Sequence, residues 1–337
     1  MLRGRRVKRA ATRAPRAGDT MSEITLESDA VSVVCTPDQG FSISSLVDRV
    51  SGAEALWRRE SHAVEPCSRT LGPAGEPSEA TFLDRFAGGW FEMFPEVGYT
   101  QPGDPASLVH GEVVRLPWEV TEHGPRHVAA RVALVRRPLT IERTLTLDGA
   151  TLTVAERIAN VGRAPVPYTW GHHPCFSRAT FAGGRIELDV AAAEVPDPWF
   201  DPDHATLAHG PFAWPQAPAR DGGVVDLAGI PAERDGRADH ACLTLGGRGG
   251  SLRLTAPAHG RALRVEFDVR RFPHALLWEH LGAGDGYPFW GEGDTFAVEF
   301  STIPGRATPD AIAAGAVSTL APGATSQTTF TVAWEEL

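Results

Sequence analysis

A glutamate set in an apolar run is the first residue of this chain whose surroundings suggest chemistry. Glu299 lies within Phe-Ala-Val-Glu-Phe-Ser-Thr-Ile-Pro, residues 296–304. A carboxylate buried in such a strand is costly unless paired, and that cost raises its pKa towards the range of a general base. At an exposed strand edge it would be an ordinary surface acid. A second candidate is His172-His173, within Tyr-Thr-Trp-Gly-His-His-Pro-Cys-Phe, residues 168–176. Neighbouring residues of a strand point to opposite faces, so at most one of the two imidazoles faces a given pocket. The pair could ligate a metal, but no His-x-His or His-Glu-x-x-His pattern accompanies it, and no metal is expected. The third region runs from Arg85 through Gly88-Gly89-Trp90 to His110-Gly111. Paired glycines let backbone pass close to a ligand, and Trp90 offers a flat face on which the C–H surface of a sugar can stack. A glycine turn anchored by a core tryptophan would read the same way.

The elements that must carry these residues read as strands. Leu139, Ile141, Leu145 and Leu147 alternate with Thr140, Glu142, Thr144 and Thr146; after Asp148-Gly149, Leu152, Val154 and Ile158 alternate with Thr151, Thr153 and Arg157. This predicts an antiparallel hairpin with a positive-φ turn. Similar alternation at 251–255 and 263–269 brackets Pro257-Ala258-His259-Gly260, and shorter runs follow at 128–135, 223–227 and 328–334. One segment alone reads as a helix, a short one opened by Thr308-Pro309-Asp310. No fixed-period repeat or linker interrupts residues 21–337, so one large, mainly antiparallel all-β domain is expected, either a sandwich or an irregular barrel.

Composition narrows the functional classes. With 42% apolar residues in 337, the chain can bury a sizeable core, and 35 glycines with 27 prolines favour short elements and tight turns. The net charge of -10 disfavours nucleic acid and anionic membrane as partners. Lys8 is the single lysine, which excludes Schiff-base, pyridoxal-phosphate and Walker-type chemistry from the body of the chain. The cysteines, Cys35, Cys67, Cys175 and Cys242, are too far apart for a zinc knuckle, and no apolar run reaches the roughly 20 residues of a membrane span. A soluble cytoplasmic protein follows as the expectation. Residues 1–20 hold seven cations against the single acid Asp19 and are expected to be a disordered basic extension or the product of a start upstream of Met21.

Taken in order, these segments resemble the aldose 1-epimerase (galactose mutarotase-like) superfamily. The resemblance rests on Gly88-Gly89-Trp90 leading to Phe94-Pro95, then His110-Gly111 before Trp118, His173-Pro174-Cys175-Phe176 after a long hairpin, and Glu299 five residues before Pro304. It covers roughly residues 22–336. The chain departs from the family's usual Asn-His-Ser/Thr-Tyr-Phe by reading His172-His173-Pro174-Cys175-Phe176 and shows no clear counterpart of its sugar-binding aspartate, the nearest region being Leu277-Trp278-Glu279-His280; it is a divergent member. The resemblance implies a β-supersandwich and a cofactor-independent isomerase that interconverts the α and β anomers of a hexose, as a monomer or homodimer. By position Glu299 is the base, His173 the acid with His172 its rival, and His110 an assisting group. Arg85, Trp90, His172, Trp278 and Phe289 are expected to contact the sugar, with Tyr287, Phe289 and Trp290 forming a pocket wall. Arg85 or Arg143 could bind the phosphate of a modified sugar. The alternative is a non-catalytic carbohydrate-binding protein on the same scaffold.

Overall fold

The computed structural model describes residues 23–60, 64–101, 103–305 and 307–337; the basic extension lies outside them. Alternating apolar and polar residues build two antiparallel sheets that face each other. Strands β1 (Ile24–Glu27), β2 (Val31–Thr36), β3 (Ser42–Asp48) and β4 (Trp90–Met93) open the larger sheet. The chain then lays down β5 (Glu119–Gly124), β6 (His127–Ala133), β7 (Leu139–Asp148) and β8 (Thr151–Asn160) as a meander in the smaller one. A short β9 (Val166–Tyr168) precedes β10 (Gly171–Ser177), which returns beside β4. Next come β11 (Ile186–Leu188) at an edge of the smaller sheet, β12 (Val190–Val195) and β13 (Gly210–Phe212) at an edge of the larger, and a separate hairpin of β14 (Gln216–Pro218) and β15 (Val224–Asp226). The larger sheet takes up β16 (Ala238–Leu245), the smaller β17 (Gly250–Ala256) and β18 (Arg261–Phe267), and the centre of the larger β19 (His274–Leu281) and β20 (Asp294–Ser301). Finally β21 (Ser318–Leu320) pairs with β9, and β22 (Thr325–Glu336) closes the smaller sheet between β18 and β8.

The larger sheet therefore runs β1-β2-β3-β4-β10-β20-β19-β16-β12-β13, and the smaller β11-β17-β18-β22-β8-β7-β6-β5. The architecture is a sandwich rather than a barrel. The β7–β8 hairpin pairs Leu139 with Asn160 through Asp148 with Thr151, and its turn places Gly149 at φ 57, as the Asp-Gly signal demands. Leu145, Leu147, Leu152 and Val154 of this hairpin join Phe330 and Val332 of β22 in the core between the sheets. Among the described residues three short α-helices are present, α1 (Ser78–Leu83), α2 (Arg178–Phe181) and α3 (Thr308–Ala313). The sequence expectation of a single helix is corrected here: α1 and α2 span six and four residues, too few to show a 3.6-residue period. Among the described residues no helix is long and apolar enough to cross a membrane.

Strands β10 and β20, like the short β4 next to β10, are buried on both faces almost throughout. Their inner face meets the core. Their outer face meets a second, smaller apolar cluster that includes Trp57, Phe82, Phe86, Trp278 and Phe289. Polar side chains on these two strands are therefore dry whichever way they point, and this places the site.

Candidate active site

Alternation along the four central strands of the larger sheet lines up one outward-facing residue from each. Phe91 of β4 pairs with His173 of β10, and Glu299 of β20 pairs with Leu276 of β19. The β10–β20 register, Gly171 opposite Ser301 and Cys175 opposite Ala297, sets His173 across from Glu299. Their side chains meet, His173 Nε2 lying 3.2 Å from Glu299 Oε1, with both buried. The imidazole is stacked on Phe91 at 4.6 Å and 22°, and its Nδ1 lies 3.4 Å from Cys175 Sγ. Three contacts thus fix one ring.

His110 reaches the same place from a turn. Its backbone has φ 58 and that of Gly111 φ 74, and a Cβ at 111 would stand 2.4 Å from the carbonyl oxygen of Phe94. Only glycine fits there. The turn is held by Arg115, 2% exposed, whose guanidinium donates to the carbonyls of Val109 (2.8 Å), Gly111 (3.1 Å) and Ser78 (3.0 Å) and to Thr81 Oγ1 (2.8 Å). One buried cation thereby ties the turn to α1. The His110 ring packs against Phe82 at 4.6 Å and lies 5.7 Å from His173, and its Nδ1 is buried without a partner. Gly111→Ala is expected to cost about 2 kcal/mol or more of stability, since it adds left-handed strain to a backbone clash, and to impair any activity that uses His110. A chemical-denaturation midpoint equal to wild type would contradict this.

His110, His173 and Glu299 share one cleft. Its walls are largely aromatic, Phe86, Phe200, Trp278 and Phe289 among them, with His240, Tyr99 and Glu79 as further polar members. Burial governs the electrostatics. It pushes the Glu299 carboxyl well above the usual carboxylate range and holds the His173 imidazole well below its ordinary value, His110 adding to the second effect. The empty pair therefore keeps its proton on Glu299, whose O–H donates to His173 Nε2, leaving Nδ1–H to face the Cys175 sulfur. Burial, aided by Arg115, lowers His110 to about 3, and it raises the Cys175 thiol well above its ordinary value.

The sequence expectations divide between two faces of the sheet. Trp278 and Phe289 line the cleft. Trp90 and His172 do not, and their expected contact with sugar is corrected: both lie between the sheets, because one step along β4 or β10 reverses the face. Trp90 Nε1 donates to His172 Nδ1 at 3.3 Å, His172 Nε2 lies 3.0 Å from Glu156 Oε2, and Arg143 Nε lies 3.0 Å from Glu156 Oε1. Glu92 completes this cluster and accepts from Trp170 Nε1. Ligand atoms of Glu92, Glu156 and His172 lie within 4.8 Å of one another, a spacing that could hold a metal ion. The Arg143 guanidinium already supplies positive charge there, and it is fully buried, so the expectation that it could bind a substrate phosphate is corrected too. Arg85 donates to the carbonyls of Pro66 (3.3 Å) and Thr81 (2.8 Å) and faces a neighbouring depression with Arg58 and Arg59, outside the His173–Glu299 cleft. Tyr287 and Trp290 are half-exposed and outside its lining; the Tyr287 hydroxyl instead bonds α1 through the Ala80 carbonyl and the adjoining Asp84 carboxylate. His240, Cys175 and Phe200 were not foreseen. His240 carried a legible signal, a lone histidine in the apolar run of β16.

Both clusters bear on pH stability. His110, His172 and His173 stay neutral in the fold, so below their ordinary 6.5 the unfolded chain binds more protons, and stability falls as pH drops towards about 3. Glu92, Glu156 and Glu299 stay protonated above their ordinary 4.5, with Glu156 near 7, so their contribution is lost as pH rises. Between 4.5 and 6.5 the two sets oppose each other. Calorimetry is expected to find a plateau in melting temperature there and a decline on either side, each uncompensated proton costing about 1.4 kcal/mol per pH unit. A midpoint rising steadily from pH 6 to 8.5 would contradict the assignment.

Solved structures share this architecture. The Slr1438 protein of Synechocystis sp. PCC 6803 aligns over 97% of this chain and 100% of its own, with a TM-score of 0.66 at 15% identity. A galactose mutarotase related enzyme from Lactobacillus acidophilus aligns over 94% and 98%, with a TM-score of 0.61 at 16% identity. This chain has the galactose mutarotase-like fold. A galactose mutarotase-like protein from Clostridium acetobutylicum likewise aligns over 94% and 96%, with a TM-score of 0.64 at 12% identity. No protein-family model and no curated protein matches the sequence. Within the galactose mutarotase-like fold, the His173–Glu299 cleft lies on the outer face of the larger sheet, carried by its central strands.

Proposed function

We propose that this chain opens and recloses the ring of an aldose, interconverting its anomers. The observation that carries the reading is the buried His173–Glu299 pair, 3.2 Å apart at the floor of an apolar cleft. A hemiacetal presents two oxygens on one carbon, the anomeric hydroxyl and the ring oxygen, and a contacting acid–base pair can serve both. Transfer of the Glu299 proton to His173 along their contact first gives a carboxylate and an imidazolium; Glu299 then takes the anomeric proton while His173 gives its proton to the ring oxygen. The C1–O5 electron pair leaves with O5, a carbonyl forms at C1, and rotation about C1–C2 precedes reclosure by the reverse transfers. Charge balances at every step. Ring opening returns the pair to protonated Glu299 and neutral His173, the charge state that burial favours, so each turnover ends as it began. His110, with its unpartnered Nδ1 beside His173, is placed to bond the ring oxygen or a neighbouring hydroxyl.

The test is polarimetry of freshly dissolved α-aldoses with and without protein. Acceleration of anomer exchange supports the reading. Saturable binding by calorimetry with exchange no faster than in buffer would replace it with a carbohydrate-binding role.

A further inference from the structure

The cleft is unevenly furnished. Beyond the His173–Glu299 pair, its polar lining residues are His110, His240, Tyr99 and Glu79; among the described residues that line it there is no arginine, amide or aliphatic hydroxyl. The rest is a corner of aromatic rings whose own polar atom is the indole N–H of Trp278 and which adjoins His173 and His240. Phe86 stands at 78° to Trp278 with centroids 6.5 Å apart, and at 90° to Phe289 at 6.0 Å. Phe200 stands at 87° to Trp278 at 6.4 Å.

The angles decide what fits. A pyranose can lay its C–H face on one aromatic ring, an arrangement that costs its hydroxyls nothing because they project from the ring edge. A second aromatic ring at a right angle confronts that edge. Whichever ring of this corner carries the C–H face, another meets the positions where hydroxyls and the C5 substituent stand, and the hydroxyls held there lose water with only His240 and the indole N–H beside them to replace it. We infer that the Phe86–Phe200–Trp278 corner receives an aldose with an apolar group in place of a ring-edge hydroxyl or hydroxymethyl, of the 6-deoxyhexose class, whose C5 methyl packs against the rings. This substrate class rests on the ring-opening reading and sharpens it.

The experiment compares matched sugars on wild-type protein: 6-deoxygalactose with galactose, and 6-deoxyglucose with glucose. Anomer exchange is followed by NMR, and binding of the same four sugars by calorimetry. The expected result is a kcat/KM and an affinity about 10- to 100-fold higher for the deoxy member of at least one pair, the range over which an apolar pocket discriminates a single added group. Equal or better handling of the hydroxylated member in both pairs overturns the inference while leaving ring opening intact. Tighter binding of a deoxy sugar without faster exchange upholds the pocket's chemistry and overturns ring opening. Absence of both binding and exchange with all four sugars overturns both.

Discussion

Glu299→Gln is expected to lower kcat/KM for anomer exchange by about 10²- to 10⁴-fold, the usual worth of one positioned acid–base group, with a melting temperature close to wild type. Burial already holds Glu299 protonated in the empty cleft, so a neutral amide of the same shape changes the fold little. It can no longer take a proton. His173→Ala is expected to cost a similar factor in rate and more in stability, because the imidazole also fills the space between Phe91 and Trp278. Since the two groups pass one proton between them, the double variant should be scarcely slower than the slower single one. Near-normal turnover in either single variant, measured by polarimetry on sugars the wild type accelerates, would remove the pair from the reaction. Factors that multiply in the double variant would assign the two residues to separate steps.

Arg143→Met is expected to have the largest effect on stability, about 3–5 kcal/mol, because it removes the cation from a buried cluster and strands its carboxyls. The guanidinium is fully buried, lies 3.0 Å from Glu156 and donates to the Phe41 carbonyl at 3.0 Å. Burial pushes Glu92 well up and Glu156 to about 7, so protonation absorbs part of the lost compensation and the penalty should grow as pH rises above neutrality. The double variant Arg143→Met, Glu156→Gln should recover part of it. A urea midpoint unchanged in the single variant would show that Arg143 contributes no net stability.

The two faces of β10 show how far the sequence could be read. Adjacency alone puts His172 and His173 on opposite faces. Which face is the cleft depends on pairing with β4 and β20, whose paired residues lie 78–84 positions upstream and 118–130 positions downstream, and no local pattern carries that. Trp90 was chosen for what an indole can do to a sugar, but its neighbour Phe91 is the residue that faces outward. Arg85 sits in the turn after α1, where no strand alternation tells which depression it faces. The β7–β8 hairpin was fully legible because its register is set by its own Asp148-Gly149 turn. Glu299 was legible because a carboxyl in an apolar strand is anomalous wherever the strand lies. His240 shared that anomaly without a surrounding motif to single it out.

The doubled histidine has a consequence for how the chain finds its own alignment during assembly. A strand shifted by one residue turns every side chain to the other face, yet β10 so shifted would still offer the cleft an imidazole. The cleft face alone thus gives the folding chain little means of rejecting the misaligned sheet. Discrimination falls to the opposite side, where His172 must meet Trp90 and Glu156, and to Phe176, which the shift would expel from the core in exchange for a thiol. The buried ionic cluster, on the face away from the cleft, acts as the key that keeps His173 opposite Glu299.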